Sequence, residues 1–180
     1  MTRISSLVAA LLLAAVSTAS AQPNQRPIHT NRTDRAGVEW AYGERNDTMD
    51  DRREVAVVAR WRRSHIGLFC LADDGAEMRV KVPGWFYLPR QEDRLQVRID
   101  HLPAVDIAVV GSTSDGSFAI VRPNRAGRDL VRAFAAARER IAIRNRAGET
   151  ITVPLATPRP EVDRFMRRCQ EIAPTIPEAD

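Results

Sequence analysis

A chain of 180 residues has room for one ordinary domain with its own core, and its formal charge of +4 comes from 27 basic against 23 acidic residues. The arginines and carboxylates are interspersed, as in "MDDRRE" and "RQEDR", so the charge describes a solvated surface and excludes a basic arm.

The first residues carry a targeting pattern. Arg3 is followed by the apolar run "LVAALLLAAV" from Leu7 to Val16, then by small residues that end in Ala19, Ser20 and Ala21. This is the n-region, h-region and A-x-A order of a secretory signal peptide, which predicts cleavage after Ala21. Ten apolar residues are too few to span a bilayer, which takes about 20, and no later run is longer, so no transmembrane segment is expected in the mature chain. Removing residues 1–21 takes only Arg3 from the charge count and leaves 159 residues at +3. One lysine, Lys81, against 26 arginines points to a GC-rich bacterial genome, and hence to the periplasm as destination. Nucleic acid is not an expected partner there.

From Gln22 to Gly37 the sequence is polar, contains Pro23 and Pro27 and has no periodicity, so it reads as a disordered leader ahead of one β-rich domain over 38–180. "VEWAYG" at 38–43 is a candidate first strand. From residue 55 short apolar or alternating runs follow at 55–61, 66–72, 78–82, 85–88, 95–99, 105–111 and 118–122, separated by the turn signals "DDG", "PG", "PRQED" and "SDG". "RDLVRAFAAA" places Leu130, Val131 and Phe134 at helical spacing, and "RIAIRNRAGETITVPL" is a hairpin turning at Arg146–Glu149. The last helix, 161–172, carries Val162, Phe165, Met166, Cys169 and Ile172 as one stripe. These signals predict an α+β domain: an antiparallel sheet or sandwich of about seven to nine short strands with two helices near the C-terminus.

Cys70 and Cys169 are the only cysteines. In an exported chain they are most simply one disulfide, which would pin the last helix to the sheet. A catalytic thiol would need a histidine beside it, and a zinc site two more ligands at close spacing, whereas His29, His65 and His101 are scattered singly.

The order of motifs resembles a known family. Trp40, then "DTMDD" at 47–51, a strand ending in Cys70, "VRID" at 97–100, the turn "STSDG" at 112–116, a short helix, "ITVPL" at 151–155 and a helix with the last cysteine are similar to the VasI-like periplasmic proteins associated with type VI secretion. More loosely, the C-terminal strand followed by a cysteine-bearing helix resembles the invasion-associated locus B proteins. The resemblance spans about residues 38–171 and implies a small disulfide-stapled envelope protein that acts through contacts with a protein or envelope component.

The residues themselves offer little chemistry. Asp47, Asp50 and Asp51 lack the regular spacing, the glycine and the bidentate Glu of a calcium loop, so no metal and no cofactor are expected. His101 stands between Asp100 and Asp106, an arrangement that could orient a general base, but no G-x-S-x-G elbow supplies a nucleophile, and no catalytic residue is assigned. Arg60, Trp61, Arg62 and Arg63 form a candidate anion-binding patch, with Arg60 and Arg62 on one face if the strand continues through them. A non-catalytic accessory protein of the envelope is therefore the leading expectation, ahead of a binding module for an anionic glycan or lipid and of a hydrolase of unknown substrate.

Overall fold

The alternation that marks the strands in the sequence becomes one sheet with a dry face. The computed structural model describes residues 30–46, 53–72, 75–88, 91–112 and 116–173. In chain order these form β1 (Thr30–Thr33), β2 (Glu39–Asn46), β3 (Arg53–Trp61), β4 (Ser64–Leu71), β5 (Gly75–Lys81), β6 (Glu92–Ile99), β7 (Val105–Gly111), β8 (Ala119–Val121), α1 (Arg125–Ala136), β9 (Arg140–Arg144), β10 (Thr150–Pro154) and α2 (Pro160–Ile172). The ten strands seen among the described residues make a single antiparallel sheet in the order β1-β2-β3-β4-β5-β8-β7-β6-β9-β10. The α+β class and the two late helices are as the sequence predicts; the layout is one sheet with helices on it.

Register explains the core. Tyr42, Val57, Leu68, Met78, Val121 and Val109 face one another across six neighbouring strands, and each is at most 1% exposed. Every such side chain contributes roughly 1.5–3 kcal/mol through burial, so a slip of one residue in any strand would turn its contribution out to water. The two helices close this face. From α1 come Leu130, Val131 and Phe134, and from α2 come Val162 and Phe165, all buried. The Phe134 ring lies 6.3 Å from that of Trp40, tilted by 48°. Asn124 starts α1 by accepting a hydrogen bond from the Gly127 amide, while Pro160 at the first position of α2 and Glu161 and Asp163 in its first turn suit a helix N-terminus.

Two expectations are corrected. The leader, expected to be disordered as far as Gly37, contributes β1, a four-residue edge strand paired with β2. Its order comes from polar contacts that periodicity does not reveal. The Asp34 carboxylate accepts from the Ala36 and Val38 amides and from the Trp40 indole, which folds the β1–β2 turn, and Arg32 pairs with the buried Glu161 of α2 at 2.8 Å. The run 85–88 is extended but belongs to no strand. Trp85 and Tyr87 point into the core while Phe86 and Leu88 are exposed, yet the only ladder-like bond among the described residues is from the Tyr87 amide to the Gly116 carbonyl, at 3.0 Å. The segment lies directly on Gly111 and Gly116, where a β-carbon would collide with the Tyr87 and Leu88 backbone, so it is a strap over the sheet and not a member of it. Residues 1–21, expected to be a signal peptide, lie outside the described residues, and no described helix is long and apolar enough to cross a membrane.

The Cys70–Cys169 disulfide is present, with Cα atoms 5.6 Å apart at a sequence separation of 99. Cys70 is fully buried in β4, while Cys169, Met166 and Ile172 are half-buried, so the C-terminal half of α2 has less burial to hold it than its first two turns. The staple acts where packing is thinnest. Cys169→Ala should therefore lower stability by about 2–5 kcal/mol and lower Tm, with reduction of the wild type giving a similar shift, as read by thermal melts with and without dithiothreitol.

Arg159, just before α2, is also buried, and its guanidinium donates to the Phe134, Ala135 and Ala137 carbonyls at the end of α1. Arg159→Met should cost roughly 3 kcal/mol in urea denaturation, because it leaves the Ala135 and Ala137 carbonyls without their donor, and Arg159→Lys should recover only part of that loss since a single ammonium cannot reproduce the fork.

Candidate functional site

The expected patch does not assemble as a unit. Arg60 ends the outward-facing row of β3, opposite the core face, and is paired with Glu39 at 3.1 Å. Trp61 follows it on the other side, packed partly against the core near Gly37. Arg62 occupies the tight β3–β4 turn with φ 56° and lays its guanidinium over the Trp61 ring at 5.5 Å, and Arg63 is exposed beside it. The chain turns at Arg62, so Arg60 and Arg62 do not share a strand face.

A different cationic row includes Arg60. Register places Arg60, His65 and Lys81 side by side on the outward face of β3, β4 and β5. Burial, and then the positive charges of Arg60 and Lys81, hold the His65 imidazole below its ordinary pKa. Lys81 sits 5.0 Å from the Phe118 ring centre. Farther along the same face Phe69 lies over Gly67, where a β-carbon would strike the ring, and Arg79 covers Phe69 at 4.1 Å while pairing with Glu77 at 2.5 Å. This half of the outward face is capped by its own side chains.

The Asp100–His101 pair is engaged structurally. Asp100 has φ 49°, a left-handed turn conformation that Asp tolerates, and its carboxylate accepts from the Arg138, Glu139 and Arg140 amides at 2.8–2.9 Å. Burial pushes the Asp100 pKa up, but the amides of Arg140, Arg138 and Glu139 together outweigh it, and the group ends below its ordinary value. The exposed His101 instead places Nε2 3.1 Å from Glu139. Asp106 stands on β7 opposite Gln96, exposed and apart from both. Asp47, Asp50 and Asp51 lie outside the described residues, and among those described no group of three or more His, Cys, Asp or Glu side chains could hold a metal ion.

The concave surface that sequence reasoning missed lies on the outward face of β6, β9 and β10. A cavity of about 370 Å³ is lined by Gln96, Arg98, Ala104, Arg140, Ala142, Arg144, Thr150 and Thr152. It shares Gln96 and Arg144 with a neighbouring one of about 660 Å³ that reaches Glu92, Asp93, Arg94, Asp106 and Arg146. Arg144 is held across three strands, donating to the Thr150 hydroxyl at 3.1 Å and to the Gln96 carbonyl oxygen at 3.3 Å. Only the period-two rule hinted at this face, by setting Arg140, Ala142 and Arg144 opposite the buried Ile141 and Ile143.

No family model, curated protein or solved structure matches the chain.

Asp100 links pH to stability. Its folded pKa lies below its unfolded one, so the folded state binds this proton less readily. The stability it adds is complete above the ordinary value of 3.8 and drains away as pH falls through the lower folded value. Asp100→Asn should cost about 1 kcal/mol at neutral pH, the low end for a hydrogen-bonding carboxylate because this one is partly exposed. Urea denaturation repeated down to about pH 3 should show the variant losing less further stability on acidification than the wild type.

Proposed function

We propose that this chain is a non-catalytic protein of the bacterial envelope, exported with residues 1–21 removed, that works by contact with a protein or envelope component. The order of its motifs supports a link to type VI secretion. The observation that carries the reading is the use made of Asp100: the carboxylate best placed to orient a histidine base is spent on three backbone amides, while His101 turns outward to Glu139. The cysteines support it as well, since both thiols are consumed in the staple.

A contact protein needs its shape and not a proton carrier. In a deletion strain complemented with each variant, His101→Ala should restore the wild-type phenotype, whereas Cys169→Ala should restore it weakly and accumulate less. Loss of function in His101→Ala with normal abundance would overturn the reading in favour of an enzyme centred near residues 98–106.

A further inference from the structure

The bare half of the outward face has a distinct charge pattern. Ala142 stands at its centre, with Arg98 beside it on β6 and Thr152 beside it on β10, each one strand spacing or about 5 Å away. Arg140 and Arg144 lie before and after it on β9, and so are about 13 Å apart along the strand. The smallest side chain is thus ringed by three guanidiniums and a hydroxyl. Among the described residues no carboxylate lines this cavity. Arg98 and Arg140 make no side-chain hydrogen bond or ion pair among the described residues, and Arg144 is pre-positioned by Thr150 and Gln96. Asp100, near Arg140 in the fold, has its oxygens committed to backbone amides.

Guanidiniums gathered over a low floor recognise carboxylate or phosphate oxygens, often in pairs of parallel bonds. The cavity is roomier than a bare anion requires, and Thr150, Thr152 and Gln96 add donors and acceptors suited to sugar hydroxyls. The adjoining cavity is balanced in charge: Glu92, Asp93 and Asp106 stand there against Arg94, Arg146 and the shared Arg144. With its guanidiniums matched by carboxylates it offers a second anion no net attraction, whereas a neutral sugar would donate its hydroxyls to those carboxylates. We propose that the outward face of β6, β9 and β10 binds an anionic saccharide, seating one carboxylate- or phosphate-bearing sugar over Ala142 and a neutral sugar next to it above Gln96 and Asp106. This deepens the contact reading by naming a partner class for one face, and it is tested apart from the His101 complementation.

The full mature protein would be titrated by calorimetry and by ¹⁵N NMR with four probes. Hyaluronan hexasaccharide alternates uronate with neutral sugar, phosphopentamannose carries a phosphate, polygalacturonate is charged at every unit and chitohexaose is neutral. The expected result is saturable binding of hyaluronan hexasaccharide, phosphopentamannose or both, the tighter of the two naming the anion. Chitohexaose should bind at least about tenfold more weakly, polygalacturonate no more tightly per site than hyaluronan, and the largest amide shifts should fall at Ala142, Arg144 and Thr152. Arg98→Gln and Arg144→Gln should each weaken binding by roughly tenfold, the loss of one charge-assisted contact, while Arg60→Gln on the other half of the face should leave it unchanged. The proposal is overturned if neither hyaluronan nor phosphopentamannose saturates at millimolar concentration or if the shifts map elsewhere. Equal weakening by Arg60→Gln, or tightest binding to polygalacturonate, would also overturn it, by showing general attraction of polyanions. The binding failure would leave the contact reading standing, which only the His101 outcome removes.

Discussion

A buried guanidinium holds the helical layer to the sheet. Arg159 is 4% exposed and has no carboxylate hydrogen-bonded to it among the described residues; its partners are carbonyls at the end of α1, those of Phe134, Ala135 and the capping Ala137. Burying an unpaired charge costs several kcal/mol, and so would leaving the Ala135 and Ala137 carbonyls, past the last amides of α1, without a donor. Here each liability answers the other, since a cation at a helix C-terminus also meets the favourable end of the helix dipole. The guanidinium lies 5.6 Å from the Phe134 ring and 5.7 Å from Trp40, so it also seats on the aromatic pair that joins α1 to β2. Burial lowers its pKa, with the charges of Asp163, Asp100 and Asp34 opposing the shift. The next residue begins α2, so this side chain ties the end of α1 to the start of α2.

Ties to the outer elements then follow in order. Glu161, two residues on from Arg159, is buried and balanced by Arg32, which explains why a polar four-residue edge strand is ordered at all. Farther down α2, Arg164 and Arg168 reach Glu44 of β2, and Glu44 accepts from the Tyr42 hydroxyl at 2.7 Å. Burial and this carboxylate push the Tyr42 pKa up to about 12, which keeps the phenol a neutral donor. The disulfide completes the line at Cys169. Along its length α2 thus passes from apolar burial to ion pairs to a covalent bond as packing declines.

What was legible in the sequence is what depends on short-range period. Alternation in "VAVVARW" and "LQVRI" fixes which side chains meet the core whatever the strand order, and the stripe on α2 identifies its inner face. Arg159 was illegible because "TPRPE" has the composition of a loop, and only the tertiary fold brings three carbonyls to it. The strap at 85–88 alternates like a strand, yet its failure to pair is decided by glycines at 111 and 116. The arginine-ringed cavity was hidden for a related reason: Arg98 and Ala142 become neighbours only through the β6–β9 register, 44 residues apart in the chain. At 60–63 alternation suggests one continued strand face, whereas a positive φ at Arg62 turns the chain there.

The two halves of the outward face solve one problem differently. An antiparallel sheet that buries one side must present the other to water or to a partner. On β3–β5 the sequence fills that side from within: Gly67 makes room for Phe69 to lie flat, Arg79 covers the ring and Glu77 neutralises Arg79. A ligand would have to displace contacts already made. On β6, β9 and β10 the corresponding small residue, Ala142, is flanked across the strands by Arg98 and Thr152 and not by an aromatic ring, and among the described residues the guanidiniums of Arg98 and Arg140 are unspent. Since an uncommitted donor costs nothing to redirect while a paired one must first lose its partner, the free energy available for recognition is greater on the second half of the sheet than on the first.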